Sequence, residues 1–464
     1  MKALKVLIWV YFALLLIEGA LRKWLLPQFS DPLLIIRDPI VLLIYAQAWR
    51  LGVLRCDGWL GAAAVMSFCA LAAGLLAETV NPVVMIFGFR TDFLHLPLIF
   101  LLPRVFDQTD VQRIGRVFLA LAVPMTFLMV LQFRAGPHDW INTGVGGGWQ
   151  IGSALGRIRP AGTFSFISGP SYFFAAVAAF VLFSQIQKGA YPGWLTALAG
   201  GSTMLACSVS GSRGMLGAVV VVGVSLMGGL FLYPRAIPRL ARLALVGGVL
   251  FMIVSGTEIF REGQEVLGVR IANAAGSEGG LNGFLARFRS GFAAPFTMLF
   301  EVPIFGHGFG LGTNAGAALS GARGKFLLAE DEWGRVMMES GPIVGLAFIL
   351  LRTGLALCLG LQAARSARKG QLFPLLLFGA AGLGLILGQW GQPTTQGFIT
   401  FLSGLCLASM RNAAETQEIS EPMAGIVPDI GSARRLSVAA TAMSDRRSMP
   451  DMDASQAGRF AIRG

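Results

Sequence analysis

Apolar residues run through this chain in long blocks, and polar residues collect in the gaps between them. Crossing the hydrocarbon core of a bilayer takes roughly 20 mostly apolar residues in a helix. On that criterion the pattern predicts an all-α, polytopic membrane protein of about twelve transmembrane helices. They lie near 4–21, 33–49, 59–79, 83–103, 115–133, 170–187, 192–210, 214–232, 240–256, 342–361, 373–390 and 394–410. The fourth block is interrupted by Arg90, Thr91 and Asp92, which predicts a bent or re-entrant element held against other helices. Two long gaps, about 134–169 and about 257–341, read as loops. From Arg411 to Gly464 no apolar period continues; with seven basic and seven acidic residues this stretch reads as a disordered tail, not a polybasic lipid-binding patch. No repeat of solenoid length is legible, nor a matched pair of Gly/Pro-broken helices of the kind that marks transporter halves.

Composition narrows the class. Hydrophobic residues make up 55% of the 464 and charged residues 13%, against about 25% charged in soluble domains. That excludes a water-soluble multidomain enzyme, a disordered chain, a coiled coil and a disulfide scaffold. The five cysteines are scattered through apolar runs without a C-x-x-C pair, so neither a disulfide nor a thiolate metal site is expected. The formal net charge of +12 reflects loop topology rather than nucleic acid binding. Arg50, Arg55, Arg104, Arg113, Arg116, Lys188, Arg235, Arg239, Arg242, Arg365, Arg368 and Lys369 fall in alternate gaps, while the opposite short gaps hold little beyond Arg22, Lys23 and Arg213. The positive-inside rule then places both termini in the cytoplasm and both long loops outside, in the periplasm of a bacterial inner membrane. Lys2 and Lys5 before an apolar run resemble a signal sequence, but Glu18-Gly19-Ala20 is a poor cleavage site and Arg22-Lys23-Trp24 an interfacial anchor, so a retained signal anchor is expected.

Candidate chemistry gathers in the outer loops. The first carries Trp140, Gly146-Gly147-Gly148, Trp149, Arg157 and Arg159-Pro160-Ala161-Gly162-Thr163-Phe164. Arg159 stands near the membrane surface, where pairing with a lipid headgroup is the bland alternative to a substrate role. Ser208-Val209-Ser210-Gly211-Ser212-Arg213-Gly214 forms a tight turn facing the same side; its backbone N–H groups, small side chains and Arg213 suit an anion site, or a hairpin whose Arg merely snorkels. A Gly-dense run, Pro303 to Asn314, contains His307 and matches neither a Walker loop nor a dinucleotide fingerprint. Arg287 and Arg289 sit in an amphipathic pattern from Phe284 to Leu299 that fits a helix in the membrane interface or one packed on the loop's own core. In Ala329-Glu330-Asp331-Glu332-Trp333, helical spacing puts Glu332, Arg335 and Glu339 on one face, with Glu339 pairing Arg335, and leaves Glu330 without a local partner. The acidic triplet suits a divalent cation or a solvated loop; His95, His138 and His307 are too dispersed for a histidine metal site. Glu18, Arg37, Asp38, Arg90 and Asp92 are expected to face the bundle interior and join helices, with Glu18 and Arg22 neutralising each other at i,i+4.

The order of these features resembles the O-antigen ligase and O-antigen polymerase superfamily. An Arg-x-x-Gly-Thr-Phe loop leads into a span; a Ser-x-Ser-Arg-Gly turn follows, then Pro-x-x-Gly-x-Gly-x-Gly and Glu-x-Gly-Pro-Ile-x-Gly. Glu18-Gly19-Ala20-Leu21-Arg22-Lys23-Trp24 and Arg37-Asp38-Pro39 resemble its exopolysaccharide-associated branch, and the resemblance covers roughly residues 1–410. It implies a GT-C-like, lipid-carrier-dependent glycosyltransferase that needs no metal or cofactor. Its substrate would be a glycan on undecaprenyl diphosphate and its partners a glycan or lipid acceptor, membrane lipids, and polysaccharide export and chain-length proteins, with no nucleic acid. By resemblance, Arg159 and Arg213 would hold the diphosphate, supplying fixed positive charge where negative charge develops. The ligase members' catalytic His slot is occupied here by Glu330, nine residues before Glu339, and Asp331 stands for the following Asn. A carboxylate at Glu330 can take the acceptor proton, or His307 can reach in. Arg287, Trp149 and His307 complete the expected substrate-binding set, with Trp140 and Trp149 suited either to sugar stacking or to a membrane aromatic belt. Polymerisation of lipid-linked repeats is the expected activity, ligation to a lipid or protein the alternative, and a transporter or flippase of lipid-linked sugars the alternative of another class.

Overall fold

The computed structural model describes residues 1–56, 58–187, 189–278, 289, 292–293, 295–313, 316, 319, 329 and 331–424, with side chains given except at 239–240, 274–278 and 412–424. Two expected site residues, Arg287 and Glu330, lie outside the described residues, as do most of the amphipathic Phe284–Leu299 stretch and the tail beyond 424. Residues Met1–Ala413 form one compact unit.

Among the described residues the fold is helical, with isolated β-bridges but no named strand. The helices are α1 Lys2–Ala20, α2 Arg37–Arg50, α3 Gly58–Leu76, α4 Pro82–Phe89, α5 Leu98–Val105, α6 Gln108–Arg134, α7 Ser168–Ile186, α8 Gly193–Val209, α9 Arg213–Leu232, α10 Arg239–Ser255, α11 Glu258–Glu278, α12 Glu332–Arg368, α13 Phe373–Leu387 and α14 Pro393–Ala424. Each of the twelve apolar blocks contains a helix. Six helices are long and apolar enough to cross a membrane, and eight such spans result when each of two bent helix pairs is counted as one. Three of the four remaining blocks fall short for a physical reason: α2, α8 and α13 have 14, 17 and 15 residues, below the roughly 20 that a bilayer core requires. Large apolar side chains such as Phe68, Phe127, Phe231 and Met252 are exposed, an arrangement that suits lipid rather than water. These features make the chain a multi-pass membrane protein.

The interrupted fourth block bends as its charges predict. α4 continues into a π-helical turn, Arg90–Leu94, and meets α5 at 40°. α10 and α11 meet at 91°, which turns the polar α11 away from the axis of the apolar helix before it. The start of the expected tail is helical, since α14 runs to Ala424.

The tenth block holds a feature that periodicity did not reveal. α12 is broken at Gly341, where φ 76° and ψ 171° reverse the chain before Pro342. Only glycine adopts that conformation readily, and a Cβ there would lie 2.0 Å from the Ile304 carbonyl oxygen. Residues 332–340 therefore fold back along the rest of α12. The result is a broken helix that the sequence reading did not anticipate.

Candidate functional site

The loop between α6 and α7 is built around a hairpin at 151–159. Its turn carries Leu155 at φ 54° and Gly156 at φ 70°, and the Arg157 N–H donates to the Ala154 carbonyl at 3.1 Å. Ser153 N–H donates to Arg157 O at 2.7 Å and Arg159 N–H to Ile151 O at 2.8 Å, which fixes where Arg159 leaves the backbone. Arg157 anchors the hairpin: its guanidinium donates to the carbonyls of Phe133 and Arg134, both at 3.3 Å, and pairs with Glu262 on α11.

The segment after Arg159 is buried and braced. Gln132 Oε1 accepts the Gly162 N–H at 2.8 Å and Gln150 Oε1 the Ala161 N–H at 2.9 Å. Lys23 donates to the Gly162 carbonyl at 2.6 Å and Thr163 to the Leu16 carbonyl at 2.7 Å. A Cβ on Gly19 would come within 2.5 Å of the backbone at 163–165. This explains why Glu18-Gly19 and Pro160-Ala161-Gly162-Thr163-Phe164 occur in one chain: helix and loop meet backbone to backbone.

The second element is the turn between α8 and α9. Ser208 donates to the Phe260 carbonyl at 2.8 Å and Ser210 to the Cys207 carbonyl at 2.9 Å, while Ser212 Oγ caps α9 by accepting the Met215 N–H at 3.4 Å. The serine hydroxyls are thus taken up in packing and capping, a correction to their expected part in an anion cradle. What the turn presents is Arg213 at the first position of a 20-residue helix, where the helix dipole favours an anion.

These elements bring Arg159 and Arg213 together and add a guanidinium that the sequence reading missed. Arg270 of α11 donates to the Gly211 carbonyl at 2.7 Å, and the charges of both Arg159 and Arg213 act on it. Arg159 is held below the ordinary guanidinium pKa by burial first and by the Arg213 charge second. Its Nε is buried with no hydrogen-bond partner among the described residues. Three guanidiniums gather around this turn, beside the N-terminus of α9, and Glu262 on α11 is paired to Arg157. Groups of like charge remain together at a cost, so the arrangement suits a multiply charged anion.

The other expected residues lie elsewhere. His307 Nδ1 is 2.7 Å from Glu78 Oε2, and its backbone N–H donates to the Met338 carbonyl at 2.8 Å; none of its described contacts is with the arginines. Trp149 is half exposed and packs edge-on against His138, with ring centroids 4.9 Å apart. Trp140 is exposed and leans on Trp24 at 5.9 Å. Asp331 is consumed as the N-cap of α12, accepting the Gly334 N–H at 2.7 Å. Glu332 does not belong to a solvated acidic loop: it is buried, bonded to Arg335 at 3.0 Å and to Arg352 at 2.6 Å.

Inside the bundle the expected helix-joining charges form two networks, one on each side of the π-turn. Arg90 pairs with Asp38, which meets His95 at 3.1 Å; Tyr11 links His95 to Arg37, and Arg37 reaches Glu18 at 2.9 Å. Glu18 bonds Arg22 at 3.3 Å as its spacing predicts. Asp92 enters the other network, meeting Arg335 at 2.8 Å, and Arg335 bonds Glu339 at 2.8 Å, again as the spacing predicts. The Gly-dense loop closes over this network, with the Gly312 N–H donating to Glu339 at 2.8 Å. Comparison with protein-family models, with curated proteins and with solved structures found no match.

Proposed function

We propose that the chain is a GT-C-like glycosyltransferase of the bacterial inner membrane that polymerises polyprenyl-diphosphate-linked oligosaccharide repeats into an exopolysaccharide or O-antigen-like glycan. The observation that carries this reading is the packing of the Arg159 hairpin on the turn that leads into Arg213: a Cβ on Gly211 would lie 2.5 Å from Ser153 Oγ, and Arg270 donates to the Gly211 carbonyl at 2.7 Å. A diphosphate leaving group develops negative charge as the glycosyl bond breaks, and preorganised guanidiniums stabilise it without reorganisation. Glu330 is the proposed acceptor base, and the exposed Trp149 and Trp140 at the same loop suit sugar faces. Ligation of the finished glycan to a lipid or protein uses the same diphosphate chemistry and is kept as the alternative outcome.

The proposed orientation, with termini cytoplasmic and the arginine site periplasmic, is supported by where the basic gaps meet. Lys5 pairs with Asp107 at 2.7 Å, Arg104 donates to the Arg55 carbonyl at 2.7 Å, and Arg411 donates to the Pro103 carbonyl at 3.1 Å. Arg157 binds the far end of α6, a helix of 27 residues and so about 40 Å long.

Changing Arg159 or Arg213 to Ala and examining lipid-linked glycans tests the reading. Unextended single repeats on the carrier support polymerase, long chains retained on the carrier support ligase, and an unchanged profile overturns both. A transporter or flippase of lipid-linked sugars is favoured by one observation, the buried Asp92–Arg335–Glu332–Arg352 network beside the bent α4–α5 pair and the broken α12. Movement of a fluorescent lipid-linked sugar across proteoliposomes, with no chain growth, selects that reading.

A further inference from the structure

At the end of the bundle opposite the arginines is a cavity of about 870 Å³. Its wall contains Gln108, Gln112, Gln185, Gln187 and Gln371, with the exposed Arg242 also lining it. Glutamine carries a donor and an acceptor on one amide, so five around one space match a ligand rich in hydroxyls. Gln185 supplies an independent pointer. The residue is 6% exposed, its amide nitrogen donates to Ser184 at 3.3 Å, and its oxygen is buried with no hydrogen-bond partner among the described residues. A buried amide left half satisfied is costly unless a ligand completes it.

Two further features set the ligand's class. The cavity is floored by Phe183 and Phe373, stacked with centroids 4.1 Å apart, which gives an apolar surface. The N-termini of α10 and α13 both border it, at Pro238 and Leu372, and neither has a side-chain cap. Uncapped helix N-termini and a guanidinium favour an anion. The volume lies toward the upper part of the small-molecule range of about 300–1,000 Å³, too large for a lone ion.

We infer that this cavity binds a phosphate or diphosphate ester bearing several hydroxyls and an apolar portion. Two sources share that chemistry: a soluble nucleotide sugar and the headgroup region of a hydroxylated phospholipid. The inference rests on the cavity alone and stands or falls separately from the function proposed for the arginine site.

The test uses the full chain purified in detergent, titrated by calorimetry with UDP-glucose, with dihexanoylphosphatidylglycerol and with glucose as the uncharged control. One of the two phosphate-bearing ligands is expected to bind saturably; which one identifies the source. Arg242→Gln, an exposed change that the fold tolerates, and Gln185→Leu are each expected to weaken it about tenfold, while Arg365→Gln, outside the cavity, leaves it unchanged. Binding of neither phosphate-bearing ligand, equal binding of glucose, or wild-type affinity in both Arg242→Gln and Gln185→Leu overturns the inference.

Discussion

Glu332 and Arg352 are twenty residues apart in one helix, yet their side chains meet at 2.6 Å. A straight helix would separate them by about 30 Å. The break at Gly341 folds 332–340 back, so that Glu332 reaches the depth of Arg352 and Arg335 reaches Asp92 from a different part of the chain. The network of Asp92, Glu332, Glu339, Arg335 and Arg352 thus depends on one backbone reversal.

Gly341→Ala should therefore abolish the fold-back. The alanine methyl would clash with the Ile304 carbonyl at 2.0 Å and occupy a backbone region reserved for glycine. The strain alone is on the order of 1–3 kcal/mol, and the network is lost with it. Thermal unfolding in detergent is expected to show a large drop or no folded material; wild-type stability would mean that the reversal is not present.

Arg335 bonds three carboxylates, those of Asp92, Glu332 and Glu339, all buried. Arg335→Leu leaves them with one remaining guanidinium and should cost about 3–5 kcal/mol. Adding Asp92→Asn should recover part of that loss, because the second change removes a charge stranded by the first. A double-mutant cycle by thermal unfolding measures the coupling, expected at about 1 kcal/mol or more; simple additivity would contradict the network.

Much of this architecture is legible in the residue pattern, and the limits are physical. Among the described residues each helix long and apolar enough to span falls on an apolar block, because burial in lipid demands length and little else, while four of the twelve blocks do not reach that mark. Local pairs such as Glu18–Arg22 and Arg335–Glu339 follow from helical spacing. Arg270 is not legible: it lies in a polar stretch with no motif, and only the 91° bend between α10 and α11 and its bond to Gly211 place it beside Arg213. The partner of His307 is missed for a similar reason, since Glu78 comes from a short turn 229 residues away in the chain.

Leu155 takes φ 54° at the turn of the arginine-bearing hairpin, although it is a branched residue and exposed. Asn tolerates that region far better than Leu. Leu155→Asn should stabilise the protein by up to about 1 kcal/mol and leave the proposed diphosphate binding intact, because the Leu155 side chain is exposed. Thermal unfolding and a binding titration on the same preparation check both parts; a destabilised variant would argue against a positive φ at this position.

The arginine site allows a prediction in which stability and binding move in opposite directions. Arg159 gives up hydration, sits near Arg213 and leaves Nε without a partner among the described residues. Much of the group remains wetted, so solvent screening limits the repulsion it contributes to about 1 kcal/mol or less. Arg159→Ala should then leave the ligand-free protein as stable as wild type or slightly more stable, while weakening capture of a short polyprenyl diphosphate by tenfold or more, the order expected for lost charge-assisted hydrogen bonds of about 1.5–3 kcal/mol. Arg159→Lys should keep the charge but lose the planar fork, and bind at an intermediate level. High salt should weaken the wild type more than Arg159→Ala, since one fewer exposed charge remains to be screened. A guanidinium held for structure behaves the other way: its removal lowers the melting temperature and leaves diphosphate affinity alone.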